Sequence, residues 1–308
     1  MLSVKESVMT SVNRRNFIIQ GTALGLTTQL SALEPIERIN PRIKGISLAA
    51  YSLRNQLNWM KGKKTGGKMD MTAFLDFCAR HQFDAAEPTA YFFPPDVNTA
   101  YMNNFKRRAH ILGIDISGGA IGNNFSYTPG SDEAKAEFAY TKKWIDLYAD
   151  LGAPVIRVFA GKHVDKNTPR EKMLENQKNN LLEALAYADK RGIILGLENH
   201  DSMTDIDLLL NFVKAVDSPS LGITFDSANI AKTSDPYAEL LKLAPYTVNA
   251  QIKVKIPVNG KYVDADLGRI VNILKESKYA GYIVLEYEEK EDPFTEIPKY
   301  KNQLKALI

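Results

Sequence analysis

Beyond Pro41 the apolar positions alternate between two patterns. Short β-rich apolar runs are each followed by a polar loop, a longer stretch with apolar residues at helical spacing, and often a glycine. Eight such runs occur, at residues 46–51, 85–87, 114–119, 155–159, 194–198, 222–225, 250–253 and 282–286, the second being the shortest. Near-continuous apolar strands separated by helices predict a parallel sheet covered by helices. Eight strand–helix pairs in one domain predict closure of that sheet into a (β/α)₈ TIM barrel spanning residues 41–308.

The punctuation agrees with this phase. Gly113, Gly152, Gly192 and Gly281 each lie just past a helical stretch and shortly before a strand, where a left-handed helix cap is expected. Thr168-Pro169-Arg170-Glu171 reads as a helix start, with Thr168 capping and Pro169 at the first helical position. Leu174, Leu181, Leu182 and Leu185 then form the expected buried face. Helix-to-strand turns are tight, whereas the strand-to-helix loops at 118–130 and 253–266 are long and polar. Barrels carry their chemistry on that second side, at the carboxyl ends of the strands. An open doubly wound sheet is the structural rival, but no Gly-x-Gly-x-x-Gly turn follows the first run.

Composition narrows the classes. The 308 residues carry 39 basic and 36 acidic side chains, a net charge of +3, which is no footprint for nucleic acid. Lys61-Gly62-Lys63-Lys64 reads as a solvated loop, and the single cysteine, Cys78, as a buried core thiol in a helical pattern. Residues 1–40 stand apart. Arg14-Arg15-Asn16-Phe17 followed by a charge-free, weakly apolar run at 21–32 resembles a twin-arginine export signal, which predicts a periplasmic location. A cytoplasmic protein with a disordered basic leader is the alternative. That run is too short to span a bilayer, so no stable membrane insertion is expected.

The strand ends are more acidic than a barrel core needs. Glu87 ends the second run, Glu198 the fifth, Asp226 follows the sixth and Glu286 ends the eighth; the seventh contains Gln251 and Lys253. Carboxylates converging on one mouth raise each other's pKa, and a divalent cation relieves that repulsion. Glu198, Asp226, Gln251 and Glu286 would form an oxygen-rich shell suited to Mn²⁺, Mg²⁺ or Co²⁺, with Zn²⁺ a further candidate. By alternation His200 shares a face with Glu198. Arg157, a charge inside the fourth run, must find a partner and is expected to face the acidic mouth. Glu288 and Glu289 read as a solvated charge run.

Leu197-Glu198-Asn199-His200, Thr224-Phe225-Asp226, Gln251-Ile252-Lys253 and Val284-Leu285-Glu286 resemble the metal-site strands of the xylose isomerase-like barrels. That family includes sugar isomerases, sugar-phosphate epimerases, ketose 3-epimerases and inosose dehydratases. The resemblance implies one catalytic metal held by Glu, Asp, His and Glu on the fifth to eighth strands. It makes Glu198 and Glu286 ligands and the acid/base pair, with Asp226 as a third ligand. The chain departs from the pattern at Gln251, where the family's His-x-Lys has its histidine; a glutamine offers only a neutral carbonyl oxygen.

The implied chemistry is proton transfer next to a carbonyl through an enediolate, giving a metal-dependent sugar isomerase or epimerase. Arg157, His200, Lys253, Glu87 and Tyr51 are the expected substrate contacts, and Tyr91-Phe92-Phe93 is either an apolar wall for the sugar or packed core. Two other readings stay open. One is a lyase or dehydratase that eliminates a β-substituent from a keto-sugar or keto-glycoside; the other is a metal-poor carbohydrate-binding barrel without turnover. Abasic-site endonucleases share the fold but need a His-rich zinc cluster, and the four histidines here are His81, His110, His163 and His200, of which only His200 ends an expected metal-bearing strand. Small-molecule sugars are therefore the expected partners, and a homo-oligomer is left open.

Overall fold

A computed structural model describes residues 34–308. The twin-arginine pattern lies outside the described residues. Of the stretch 34–40, Ile36 donates its N–H to Pro245 O (3.0 Å) and Arg38 Nη2 donates to Thr247 O (2.6 Å), so it lies against the barrel.

Nine strands make one sheet: β1 Gly45–Ala49, β2 Ala85–Glu87, β3 Asp115–Ile116, β4 Gly119–Ala120, β5 Val155–Val158, β6 Ile194–Glu198, β7 Leu221–Asp226, β8 Thr247–Ile252 and β9 Tyr282–Leu285. Their order is β3-β2-β1-β9-β8-β7-β6-β5-β4, and every neighbouring pair is parallel. The two ends of that order, β3 and β4, are halves of a single stretch parted at Ser117 and Gly118. Its first half pairs with β2 and its second with β5, and Thr89 bridges to Ala120. The sheet therefore closes on itself as a barrel of eight staves, each matching one apolar run of the sequence, and the fifth to eighth runs are β6, β7, β8 and β9.

Among the described residues eight α-helices cover the staves: α1 Met71–Arg80, α2 Thr99–Leu112, α3 Asp132–Leu151, α4 Arg170–Lys190, α5 Ile206–Val216, α6 Pro236–Leu243, α7 Leu267–Glu276 and α8 Pro293–Leu307. Seven start at an Asp, Asn or Ser whose side chain accepts a hydrogen bond from the first turn: Asp70, Asn98, Ser131, Asp205, Asp235, Asp266 and Asp292. Each such cap satisfies an amide left open by helix geometry and marks where a loop ends. The helices bury one apolar face each, as in Ile206, Leu209, Phe212, Val213 and Val216 of α5. Cys78 is fully buried on α1, where burial pushes its thiol far up.

Three local expectations are corrected. Thr168 does not cap α4: the helix begins at Arg170 after Pro169, and the Thr168 hydroxyl bonds Asp165 Oδ2 (3.4 Å) in the preceding turn. Leu182 faces solvent, while Met173, Gln177, Leu181 and Ala184 line the buried face that the helical period actually selects. Gly113, Gly152 and Gly192 adopt the left-handed conformation, but after α7 it is Lys278 that does so (φ 60°). Gly281 is needed for space instead, because a Cβ there would overlap the Tyr279 hydroxyl.

Two short hairpins follow strand ends and rise at the carboxyl side of the barrel: Trp59–Met60 with Lys63–Lys64, and Lys255–Val258 with Lys261–Asp264. The lysine run at 61–64 is exposed, as expected of a solvated loop, and is shaped as a hairpin turn with Lys61 and Gly62 both at positive φ. Among the described residues no helix is long and apolar enough to cross a membrane.

Candidate active site

At the carboxyl ends of the staves lies a cavity of about 980 Å³. Tyr51, Tyr91, Arg157, Glu198, His200, Asn229, Lys253, Glu286 and Glu288 all line it. A cavity of the same volume opens at the amino ends, among Lys44, His110, Asp115 and Tyr282, but none of the strand-end carboxylates reaches it. Strand-end residues meet only on the carboxyl side, because parallel strands all end there.

Each polar side chain is held by the chain around it. Arg157, on β5, is 3% exposed; its Nε lies 3.1 Å from Glu198 Oε2, Nη1 donates to Ile121 O (3.1 Å) and Nη2 to the Tyr91 hydroxyl (3.3 Å). Its guanidinium also covers the Phe159 ring, 4.1 Å from the centroid. The other oxygen of Glu198 accepts from Asn229 Nδ2 (2.8 Å). Asp226, fully buried at the end of β7, turns Oδ1 to the N–H groups of Ala228 and Asn229 (2.8 and 2.9 Å). Asn199 clamps this turn by donating to Asp226 O and Asn229 O and accepting from Asp226 N–H, each at 2.8 Å.

Lys253 emerges one residue past β8 and reaches across the mouth. Its Nζ lies 3.0 Å from Asp226 Oδ2, 2.8 Å from Glu288 Oε1 and 3.6 Å from Glu286 Oε2, and donates to Asn229 Oδ1 (3.4 Å). Glu288 therefore belongs to the site; it is no solvated charge, whereas Glu289 pairs with Lys255 (3.0 Å) at the rim.

The remaining expected residues divide between wall and floor. Tyr51 and Tyr91 meet edge to face (centroids 6.2 Å apart) on the cavity wall, while Phe92 and Phe93 are packed core. His200 does share the cavity with Glu198, and its Nδ1 lies 3.1 Å from Asp201 Oδ1. Glu87 is fully buried and does not line the cavity: Asn249 Nδ2 and Gln251 Nε2 donate to its two oxygens, each at 2.6 Å. Glu87 is a floor group, not a wall group.

Burial sets the electrostatics. It pushes Glu286 well above the usual carboxylate range, against the pull of Lys253, and raises Glu198 despite Arg157. Burial also lifts Glu87 to about 7, although its two amide donors oppose this. Burial disfavours charge on Lys253 and His200 too, but the surrounding carboxylates outweigh it: Asp226, Glu286 and Glu288 hold Lys253 charged, and Asp201 with Glu198 raises His200.

The four-oxygen metal shell expected from the sequence is not assembled. Glu198 spends its oxygens on Arg157 and Asn229, and Gln251 turns its amide nitrogen to Glu87. Asp226 and Glu286 do share a cation, but it is the Lys253 ammonium. Among the described residues no group of three or more His, Cys, Asp or Glu side chains could hold a metal ion. The donor set therefore does not fit Mn²⁺, Mg²⁺, Co²⁺ or Zn²⁺ as arranged.

Sequence reasoning passed over Asn229 and Glu288, which join the two halves of the site. The available signal for Asn229 was the tight Asp226-Ser227-Ala228-Asn229 turn after a strand. Nothing local marked Glu288.

Comparison with known proteins agrees with this architecture. An uncharacterized protein of Methanocaldococcus jannaschii is 30% identical over 134 residues, 39% of this chain and 45% of that protein, so the match spans under half of the relative. Among solved structures, D-psicose 3-epimerase with D-tagatose from Clostridium cellulolyticum H10 superposes with a TM-score of 0.65 at 16% identity, covering 85% of this chain and 96% of that one. The apo 3-keto-D-glucoside 4-epimerase YcjR from E. coli gives 0.65 at 14%, covering 86% and 100%. A xylose isomerase-like barrel from Mycobacterium smegmatis in complex with magnesium gives 0.63 at 17%, covering 86% and 98%. At these identities the structures establish a shared fold. The sequence profile of the xylose isomerase-like TIM barrel family matches residues 75–307, most of the chain, and the protein belongs to that family.

Proposed function

We propose that the protein is a sugar isomerase or epimerase that moves a proton on a carbon next to a carbonyl. The observation that carries this reading is the placement of two buried carboxylates with raised pKa, Glu198 and Glu286, on one cavity with two fixed cations, Arg157 and Lys253. A carboxylate base works best when its pKa approaches the working pH, and burial tunes a glutamate that way. One glutamate takes the carbon-bound proton as the electron pair moves into the carbonyl. The resulting oxyanion is stabilised by the positive charges of Lys253 and Arg157, both held at the cavity before charge develops. Return of a proton from the second carboxylate to the same carbon gives the epimer, whereas its delivery to the former carbonyl carbon, with the adjacent hydroxyl giving up its proton to become the new carbonyl, gives the isomer.

Names of structural neighbours point the same way: D-psicose 3-epimerase and 3-keto-D-glucoside 4-epimerase act on ketoses or keto-glycosides. The magnesium named with the mycobacterial barrel is that protein's. The divalent ion implied by the resemblance has no role in this reading, because the Lys253 ammonium already stands among Asp226, Glu286 and Glu288. The twin-arginine pattern supports export, and export favours an unphosphorylated sugar; cell fractionation of the full chain tests it.

The deciding experiment incubates the protein with ketoses and 3-keto-glycosides in D₂O and follows products by NMR. Deuterium at the carbon next to the carbonyl, together with an isomeric sugar, is the expected result. Unlabelled, unchanged sugars across the panel would sink the proposal. A second reading, β-elimination from a keto-glycoside, is favoured by His200, which lines the cavity with its pKa raised, against burial, by Asp201 and Glu198, and which could pass a proton to a leaving oxygen. Release of the aglycone with deuterium exchange would select that reading.

A further inference from the structure

We propose that Lys253 replaces the divalent ion as the cation of this site, its ammonium closing an oxygen cluster that would otherwise take a metal. Four oxygens surround Nζ: Asp226 Oδ2 at 3.0 Å, Glu288 Oε1 at 2.8 Å, Asn229 Oδ1 at 3.4 Å and Glu286 Oε2 at 3.6 Å. They come from the end of β7, the loop after it and the residues just past β9, so the tertiary fold and not one local segment creates the pocket for a positive charge. Asp226 Oδ2 is the independent sign of that pocket. It is fully buried, makes no hydrogen bond, and faces only the ammonium, while its sister oxygen is saturated by two backbone N–H groups.

A divalent ion cannot share the place. It draws its oxygens in to about 2.0–2.2 Å, well inside the distances seen here, and Nζ would then add a like charge at close range. Nor can the neighbours expected as ligands complete a shell around Lys253. Gln251, which stands where the family resemblance implies a histidine, is turned to Glu87, and Glu198 is engaged by Arg157. Gln251 thus leaves a neutral amide where the strongest ligand is expected, and the ammonium of Lys253, the lysine of the same His-x-Lys pattern, supplies part of the charge the ion would have brought. An ammonium differs in consequence from a metal. It is fixed by a covalent stem, so chelators do not remove it, and it offers hydrogen bonds to a substrate oxygen instead of open coordination positions.

The test compares the purified full-length chain with Lys253→Ala and Lys253→Met. Metal content is read by elemental analysis, and binding of Mn²⁺ alone by electron paramagnetic resonance titration and by thermal shift. Wild type is expected to carry no stoichiometric metal and to show no saturable response to Mn²⁺ or to EDTA. Removal of the ammonium is expected to create a saturable Mn²⁺ site with a raised melting temperature in at least one variant, the methionine keeping the stem's packing if the alanine chain does not fold. Stoichiometric metal or saturable Mn²⁺ binding in wild type would overturn the inference. Binding to none of the three proteins would overturn it too, since the oxygens would then form no cation pocket. These are binding readouts, so they stand whether or not the proposed sugar chemistry does.

Discussion

Arg157 Nε stands 3.1 Å from Glu198 Oε2 in the barrel mouth, with each side chain only 4% exposed. Taking one member from such a pair leaves the other charge buried and uncompensated, which costs about 3–5 kcal/mol. Arg157→Met is therefore expected to lower stability by about that much in urea unfolding. Adding Glu198→Gln to it should recover a large part, because the orphaned carboxylate is then gone. Simple additivity of the two losses would show that the pair is not coupled.

Glu198→Gln and Glu286→Gln keep shape while removing the ability to hold a proton in exchange with carbon. Each is expected to lower deuterium exchange into a turned-over keto-sugar by about 10²–10⁴-fold, the usual worth of a positioned acid or base. Circular dichroism and melting temperature should change little for Glu286→Gln. A variant with full exchange activity would remove that residue from the proposed pair.

Glu87 carries a pH dependence of stability. Its carboxyl lies at about 7 in the fold against 4.5 ordinarily, so the folded protein binds more protons than the unfolded chain between those values. The stabilising contribution is complete below pH 4.5 and is lost as pH rises to about 7, a fall on the order of 3 kcal/mol. Denaturant midpoints measured across that window on wild type and Glu87→Gln should differ in slope. The glutamine variant should be flatter but weaker throughout, because its amide would confront the Asn249 or Gln251 donors. Parallel slopes for the two proteins would refute the assignment.

Gly119 on β4 leaves room for the ring of Tyr148, which is fully buried and whose hydroxyl donates to Pro88 O (2.8 Å). An added Cβ would overlap that ring, which is buried and tied by its hydroxyl and so has little room to yield. Gly119→Ala is expected to cost about 1–3 kcal/mol of stability, typical of overpacking, and to loosen the closure of the barrel between β2 and β5. Gly130→Ala, at an open left-handed loop position, should cost less, about 1 kcal/mol, and serves as the control in the same melting experiment.

The eight apolar runs, their order and the acidic strand ends were legible because they are local: strand and helix periods, and glycines and caps between them, are written in neighbouring residues. The family could be named from strand ends for the same reason, and so could the meeting of Glu198, His200, Arg157 and Glu286 on one mouth, once parallel strands were inferred. What each of those polar atoms does was not legible. Gln251 turning to Glu87, Asn229 linking Glu198 to Lys253, and Glu288 entering from a charge run all depend on contacts between residues 24 or more apart. Partner choice there is settled by the full geometry of the closed barrel. A side chain takes whichever buried charge its stem can reach, and for Lys253 that is the place where the strand-end pattern alone had put a metal.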